Sequence, residues 1–155
     1  RLKPDAVVWD LGAGTGSVSI ECARMCPFGE VYAVEYKPEA LDILEQNKTQ
    51  FQTKNLQIIA GRAEEQVQHL PVPDCVFLGG SSGAAKQLVA GLRQPVRLVA
   101  SAVTMETQAE LFPLLQELPQ FEVVQLAVGC GKTVGNYHVL EGNHPVLLFS
   151  CMTKE

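Results

Sequence analysis

The sequence lacks several features that would point away from a globular enzyme. It has no apolar run that approaches the roughly 18 residues of a membrane span. The stretch from Leu2 to Asp5 leads directly into a strand-like run, so no secretory signal peptide is predicted. The 12 Lys and Arg residues are outnumbered by 17 Asp and Glu residues, whereas a nucleic-acid-binding surface needs basic charge. These absences predict a cytoplasmic protein without a membrane or nucleic-acid partner.

Paired cysteine motifs are also absent. The five cysteines are odd in number and form no CxxC, which argues against a disulfide framework and predicts buried thiols in a reducing compartment. Cys22 and Cys26 lie four residues apart on a predicted helix, so they could share a metal ion. Packing against a core is the favoured interpretation, and no metal site is predicted.

The chain has 155 residues, of which 46% are apolar. This length fits one domain, covering residues 1–155, and the apolar fraction suffices for a core. Because the first residue is Arg1 and not Met, the chain is expected to be trimmed at its N-terminus or to be part of a longer protein.

Short apolar runs alternate with longer helical patterns. The predicted strands are 6–11, 31–35, 55–60, 74–78, 96–103, 121–128 and 145–151. The predicted helices are 16–25, 38–51, 64–70, 82–92 and 107–118, and Pro113 is expected to kink the last one or to mark its first turn. Residues 129–144 are interpreted as a Gly-rich polar excursion without regular structure.

This alternation predicts an α/β fold in which helices cover both faces of a mainly parallel sheet. The last two strands have no helix between them, and such a pair is expected to be antiparallel. The prediction is a Rossmann-like, doubly wound sheet of seven strands with an antiparallel terminal strand.

The strongest functional signal is the glycine loop after the first strand, Asp10-Leu11-Gly12-Ala13-Gly14-Thr15-Gly16. It lies where an open α/β sheet binds its ligand. The spacing is GxGxG and not the dinucleotide GxGxxG, because Ser17 occupies the place of the third glycine. Asp10 would repel a pyrophosphate but would attract a sulfonium and an ammonium group.

Glu35 ends the second strand, where a carboxylate can accept both hydroxyls of a ribose. Together with the glycine loop and Asp10, it resembles the class I S-adenosylmethionine (SAM) methyltransferases; an NAD site and a turn without ligand are the alternatives. In that family the corner at residues 61–64 holds adenine, and many relatives carry Asp where Arg62 stands. The residues expected to contact SAM are Asp10, Gly12, Ala13, Gly14, Thr15, Gly16, Glu35, Tyr36, Gly61, Arg62, Ala63, Glu64, Gly79 and Gly80.

Four segments carry a closer resemblance, which covers almost the whole chain. Residues 9–21, 73–81, 98–107 and 143–146 resemble the precorrin-6Y C15-methyltransferases (decarboxylating) of cobalamin biosynthesis, and the Gly-Gly-Ser of the second segment is the most diagnostic. The resemblance implies methyl transfer from SAM to C15 of a precorrin ring and loss of CO2 from an acetate side chain. It also implies a homo-oligomer, with tetramers typical, and a C5-methylating module as a fused or separate partner.

The resemblance also suggests residues that contact the ring, although each can equally be turn or capping chemistry. Ser81 and Thr104 are the candidate catalytic residues, and the candidates for substrate binding are Ser81, Thr104, Glu106, Lys132 and Tyr137, with His138 beside them. Cys130 stands where an Arg is expected. An RNA or protein methyltransferase and a SAM-binding fragment without turnover remain the rival interpretations.

Overall fold

Seven strands form the main sheet, and two further strands form a separate hairpin. The computed structural model describes residues 2–80, 83–92 and 94–154. The strands are β1 (Val7–Leu11), β2 (Glu30–Glu35), β3 (Leu56–Ala60), β4 (Cys75–Leu78), β5 (Arg97–Ala102), β6 (Glu122–Leu126), β7 (Gly129–Val134), β8 (Tyr137–Gly142) and β9 (Val146–Met152). The helices are α1 (Ser17–Met25), α2 (Pro38–Gln50), α3 (Ala63–Gln66), α4 (Ala85–Gly91) and α5 (Met105–Leu115), and a 3-10 turn (Val67–His69) follows α3.

The strand order of the main sheet is β3-β2-β1-β4-β5-β9-β6. Strands β1 to β5 pair in parallel, whereas β9 lies antiparallel between β5 and β6. The predicted seven-stranded, doubly wound sheet with an antiparallel terminal strand is therefore confirmed. Because β6 runs parallel to β5, its carboxyl end lies at the same edge of the sheet as the carboxyl ends of β1 to β5.

Strand β1 supplies side chains to two separate cores because successive residues point to opposite faces of a sheet. Val8 packs with Ile20 of α1 and Leu44 of α2 in one core. Trp9 and Leu11 join the other core, together with buried residues of α4 and α5. Burial on both faces explains why the strand reads as a continuous apolar run broken only by Asp10.

The start of α5 differs from the prediction. Thr104 caps the helix, because its Oγ1 accepts a hydrogen bond from the Thr107 N–H at 3.2 Å. The helix consequently begins at Met105, and Pro113 lies near its carboxyl end and not in its first turn. None of the helices in the described part of the chain is long and apolar enough to cross a bilayer.

The interpretation of residues 129–144 as an irregular excursion is wrong, because β7 and β8 pair as an antiparallel hairpin. Val134 pairs with Tyr137, so Gly135 and Asn136 form a two-residue turn, and Gly135 has a φ of 61°. A Gly-Asn turn between two short strands is a recognised hairpin signal. Several glycines in the flanking strands concealed it.

The cysteines are free thiols. Cys26 is fully buried in the core beneath α1, and Cys22 packs against that core, which confirms the core interpretation of this pair. Burial raises the pKa of the Cys22 thiol to about 12. Cys130 is exposed, contrary to the prediction of buried thiols. Within residues 2–80, 83–92 and 94–154, no three His, Cys, Asp or Glu side chains are arranged to hold a metal ion.

Candidate active site

The loops that follow β1 and β4 meet at the carboxyl edge of the sheet. A Cβ added to Gly12 would lie 2.9 Å from the carbonyl oxygen of Gly80, and Gly12 has a φ of +76°. A Cβ added to Gly79 would lie 2.8 Å from the carbonyl oxygen of Gly12. The two predicted glycine segments are therefore in direct backbone contact, and only glycine fits at this contact.

The glycine loop is fixed to its surroundings by hydrogen bonds from two elements. The N–H groups of Gly12 and Ala13 donate to the carbonyl of Val34 at 2.9 and 3.1 Å. The side chain of Asn47 on α2 donates to the carbonyl of Thr15 at 2.9 Å. Asn47 was not predicted as a site residue, because nothing in the local pattern of α2 relates it to a loop about 30 positions earlier.

Asp10 lies beneath the glycine loop and is only 1% exposed. Its Oδ2 accepts a hydrogen bond from the buried hydroxyl of Ser19 on α1, whereas its Oδ1 has no partner among the described residues. Burial raises the Asp10 pKa to about 6; the hydrogen bonds from Ser19 oppose this rise, and the nearby charge of Glu35 adds to it. The site thus contains a buried acceptor that is not satisfied within the described residues.

Glu35 is buried and is held by three backbone donors. Its Oε2 accepts from the N–H of Gly14 at 2.8 Å, and its Oε1 accepts from the N–H groups of Tyr36 and Lys37 at 2.8 and 2.9 Å. A carboxylate offers about four acceptor positions, so about one position remains. In this arrangement Glu35 can accept one hydroxyl of a ribose, and not both as the sequence suggested, without losing a bond.

A small cavity joins the carboxyl ends of β1 to β4. Its volume is about 30 Å³, and its lining residues are Gly12, Val34, Glu35, Tyr36, Gly61, Arg62, Ala63, Glu64 and Gly80. The structure therefore brings together most of the residues predicted to contact the cofactor. A Cβ added to Gly14 or Gly80 would meet no atom within 4 Å, so the backbone at both positions faces open space.

Of the two catalytic candidates, which follow β4 and β5 in the sequence, the structure describes only one. Ser81 lies outside the described residues. Thr104 is exposed and uses its hydroxyl as the cap of α5. Glu106 is exposed in the first turn of that helix. Ser101, which was not predicted, donates to the carbonyl of Gly79 at 3.3 Å and so connects the ends of β4 and β5.

The remaining substrate candidates lie on the hairpin. It continues from β6 at the carboxyl edge of the sheet, which is the edge that carries the glycine loop. The Lys132 Nζ lies 3.0 Å from the carboxylate of Glu141 on the opposite strand, so its charge is shared in an exposed ion pair. Tyr137 is 76% exposed, and His138 and Cys130 are exposed as well. None of these residues lines the small cavity.

A larger cavity of about 470 Å³ lies elsewhere. It is formed by the residues just before β4 and β5, the 3-10 turn and the carboxyl end of α4. Ligands of open α/β sheets bind at the carboxyl ends of the strands. This cavity lies near the amino ends of β4 and β5 and contains none of the predicted site residues, so the small cavity marks the candidate active site.

The family model of the precorrin methyltransferase domain matches residues 1–153. The chain belongs to this family. It is 34% identical to the probable cobalt-precorrin-6B C(15)-methyltransferase (decarboxylating) of Pyrobaculum calidifontis, a match that covers 97% of the chain and 80% of the relative. It is 33% identical to the cobalt-precorrin-6B C(15)-methyltransferase (decarboxylating) of Salmonella typhimurium, over 94% of the chain and 78% of that protein.

The fold of this family member also matches that of a solved relative. The crystal structure of the precorrin-6Y C5,15-methyltransferase of Geobacter metallireducens superposes with a TM-score of 0.89 and 31% identity. The match covers 99% of the chain and 84% of the relative. The resemblance inferred from the sequence and the class I methyltransferase fold are both confirmed.

Proposed function

We propose that this chain transfers a methyl group from SAM to C15 of a precorrin ring, with decarboxylation of an acetate side chain, in cobalamin biosynthesis. The observation that carries the proposal is a pair of buried carboxylates at the glycine loop of a member of the precorrin methyltransferase family: Asp10 directly before the loop, and Glu35, which accepts a hydrogen bond from Gly14 within it. Two carboxylates suit a cationic cofactor and disfavour a pyrophosphate.

The residues in and beneath the cavity fit SAM in three respects. Asp10 lies beneath the glycine loop and does not line the cavity, but its Oδ1 is a buried acceptor without a partner among the described residues, so it can take a hydrogen bond from a water bound to the ammonium group. Glu35 keeps about one acceptor position for a ribose hydroxyl. Glu64 lines the cavity and offers a carboxylate that can accept a hydrogen bond from the 6-amino group of adenine. When bound, SAM supplies an electrophilic methyl group.

The protein contributes by positioning the ring, since holding two reactants in line can supply much of the rate of a group transfer. Gly80 has no side chain and its Cβ position faces open space, so a flat macrocycle can approach the cofactor closely beside it. Ser81 and Thr104 are the proposed catalytic contacts at these strand ends. Lys132 and Tyr137 on the hairpin are proposed to bind the ring's carboxylates and its face.

The test is incubation of the chain with SAM and the C5-methylated ring, followed by mass spectrometry of the product. We expect the product to gain one methyl group and to lose CO2. A variant with both Asp10→Ala and Glu35→Ala serves as the inactive control. Binding of S-adenosylhomocysteine (SAH) without any turnover would contradict the proposal in favour of a binding domain. Methyl transfer to tRNA at physiological salt would favour the RNA-modifying rival.

The chain is also proposed to form a homo-oligomer, with a tetramer as the expected size. The hairpin shares no strand pairing with the main sheet, and an isolated two-stranded hairpin is marginal in water. Leu140 of β8 is 80% exposed, and β6 forms an open edge of the sheet with Val123 and Leu126 partly exposed. Contact between copies would cover these apolar groups. Sedimentation should give a mass above that of a monomer, and Leu140→Glu should lower it; a monomeric parent contradicts the proposal.

We further propose that residues 1–155 act as one domain in the cytoplasm, together with a C5-methylating module. The free thiols support a reducing compartment. If cofactor binding is lost at the same denaturant concentration at which the chain unfolds, in one cooperative transition, the result supports a single domain. Separate transitions would contradict it.

A further inference from the structure

Ser19 is a fully buried serine on α1 that closes the glycine loop at its base. Asp10 stands near the end of β1, before the loop, and Ser19 is the third residue of α1, after the loop. The hydroxyl of Ser19 donates a hydrogen bond to Oδ2 of Asp10. This bond therefore connects the strand that enters the loop to the helix that leaves it.

The helix α1 begins without a side-chain cap. Its N-cap residue is Gly16, which has no side chain that could accept a hydrogen bond from the first turn. The first N–H groups of a helix have no partner within the helix and carry its positive partial charge. The N–H of Ser19 belongs to this turn and acts as a second hydrogen-bond donor to Asp10. Asp10 thus supplies, from another element, an acceptor that the start of α1 lacks.

The two carboxylate oxygens of Asp10 have different surroundings. Oδ2 is bound to Ser19, whereas Oδ1 is buried and has no partner among the described residues. A buried acceptor without a partner is unfavourable, so it marks a place where a ligand or an ordered water is expected. Because Ser19 occupies Oδ2, it also determines which oxygen remains for a water bound to the ammonium group of the cofactor.

The surroundings of Asp10 oppose its ionisation, and Ser19 counteracts them. Burial raises the pKa of Asp10 to about 6, the hydrogen bonds from Ser19 lower it, and the charge of Glu35 on β2 raises it further. On the same face of the sheet, Cys22 of α1 and Cys75 of β4 are the other titratable neighbours; burial raises the pKa of both thiols, so both are neutral at neutral pH. The helix α2 packs on this core through an apolar leucine.

We propose that Ser19 is a positioning residue for the cofactor: its hydroxyl fixes the Asp10 carboxylate with Oδ1 free and stabilises the negative charge that attracts the ammonium group of SAM. This inference rests on the proposed use of SAM. The ammonium group is a cation at neutral pH, so it is attracted to a carboxylate and not to the neutral acid. Binding should therefore weaken as the pH falls through the pKa of Asp10, and Ser19 sets the pH at which this happens.

The test measures SAH affinity by calorimetry as a function of pH. Ser19→Ala removes a hydrogen bond to a charged group, so the pH at which binding weakens should rise by about one unit. Affinity should then fall by about fivefold at pH 6 and by less than about twofold at pH 8. Ser19→Thr keeps the hydroxyl and should restore the parent profile. Thr53→Ala is the control, because it removes another buried hydroxyl, which donates to the carbonyl of Lys48 at the opposite edge of the sheet.

The pH dependence separates positioning from a loss of packing. If Ser19→Ala weakens binding by the same factor at every pH, or not at all, the inference is overturned. In an Asp10→Asn background, which keeps an acceptor oxygen but does not titrate, Ser19→Ala should leave the shape of the profile unchanged; a remaining shift would overturn the inference too. So would a Ser19→Thr variant that has the parent's thermal midpoint but not its profile. A parent that fails to bind SAH at any pH would instead overturn the proposed function.

Discussion

Replacing Asp10 with Asn removes a buried titratable group while it keeps the shape of the side chain. Asp10 is 1% exposed, and burial raises its pKa from the ordinary 3.8 to about 6. Between these two values the folded protein binds a proton that the unfolded chain does not bind. The contribution of this group to stability is therefore complete below about pH 3.8 and is lost as the pH rises through about 6.

The size of the effect follows from the two pKa values. At about 1.4 kcal/mol per pH unit, the rise from 3.8 to about 6 corresponds to about 3 kcal/mol of unfolding free energy. The Asn variant does not titrate, so its stability relative to the parent should increase by about 2 kcal/mol from pH 4 to pH 8, because at pH 4 the unfolded carboxyl is already partly ionised. An unsatisfied amide donor at the position of Oδ1 would cost about 1–3 kcal/mol, but this cost is independent of pH.

Urea denaturation of both proteins at several pH values measures this difference. The single Trp, at position 9, is buried in the core and serves as the fluorescence probe, with circular dichroism as the second signal. Taking the difference between the two proteins cancels the titration of all other groups. A difference that stays constant between about pH 4 and pH 8 would refute the reasoning, because Asp10 would then titrate like an exposed carboxylate.

Three further predictions follow from the site. Gly16→Ala should lower the unfolding free energy by about 2–4 kcal/mol in urea titrations, since its φ is +82° and its Cβ would lie 2.0 Å from a methyl carbon of Leu44. Gly14→Ala, which meets no atom within 4 Å, is the control and should lose less; equal losses would contradict the steric argument. Glu35→Ala should weaken SAH binding by about tenfold or more in calorimetry, because a charged acceptor is lost; an unchanged Kd would exclude it from the site. Thr104→Val should cost about 1 kcal/mol of unfolding free energy through loss of the helix cap, and Thr104→Ser should restore it; a failure of Ser to restore it would mean that the methyl group matters more than the hydroxyl.

The parts of the fold that could be predicted from sequence are those with local signals. Strands buried on both faces read as apolar runs, and the missing helix before the last strand indicated its reversed direction. The hairpin failed because glycines and polar residues interrupt the apolar residues of its strands, so no apolar run marks them. Only the Gly-Asn turn carried the information, and it was interpreted as part of a polar loop.

The candidate site likewise has a part that could be predicted from sequence and a part that could not. Asp10, Glu35 and the glycine loop form a motif with fixed spacing, so their common position was predictable. The hydrogen bonds from Ser19 and Asn47, and the stacking of Arg62 on Tyr36, depend on how helices and strand ends come together in space. Such contacts leave no periodic trace in one sequence, because each partner taken alone is an ordinary polar residue.

The position of β9 between β5 and β6 has a consequence for how the protein folds. Strand β6 has no partner in the sheet until β9 arrives, and residues 127–145, which include the whole hairpin, separate the two. Closing so long a loop costs entropy before any pairing is gained. We therefore expect the parallel half of the sheet, which carries the cofactor loop, to form early, and β6 and β9 to join it together in a late step. Substitutions that destabilise β9 (residues 146–152) would then leave the cofactor loop folded in the parallel half of the sheet while β6 stays unpaired and prone to aggregation.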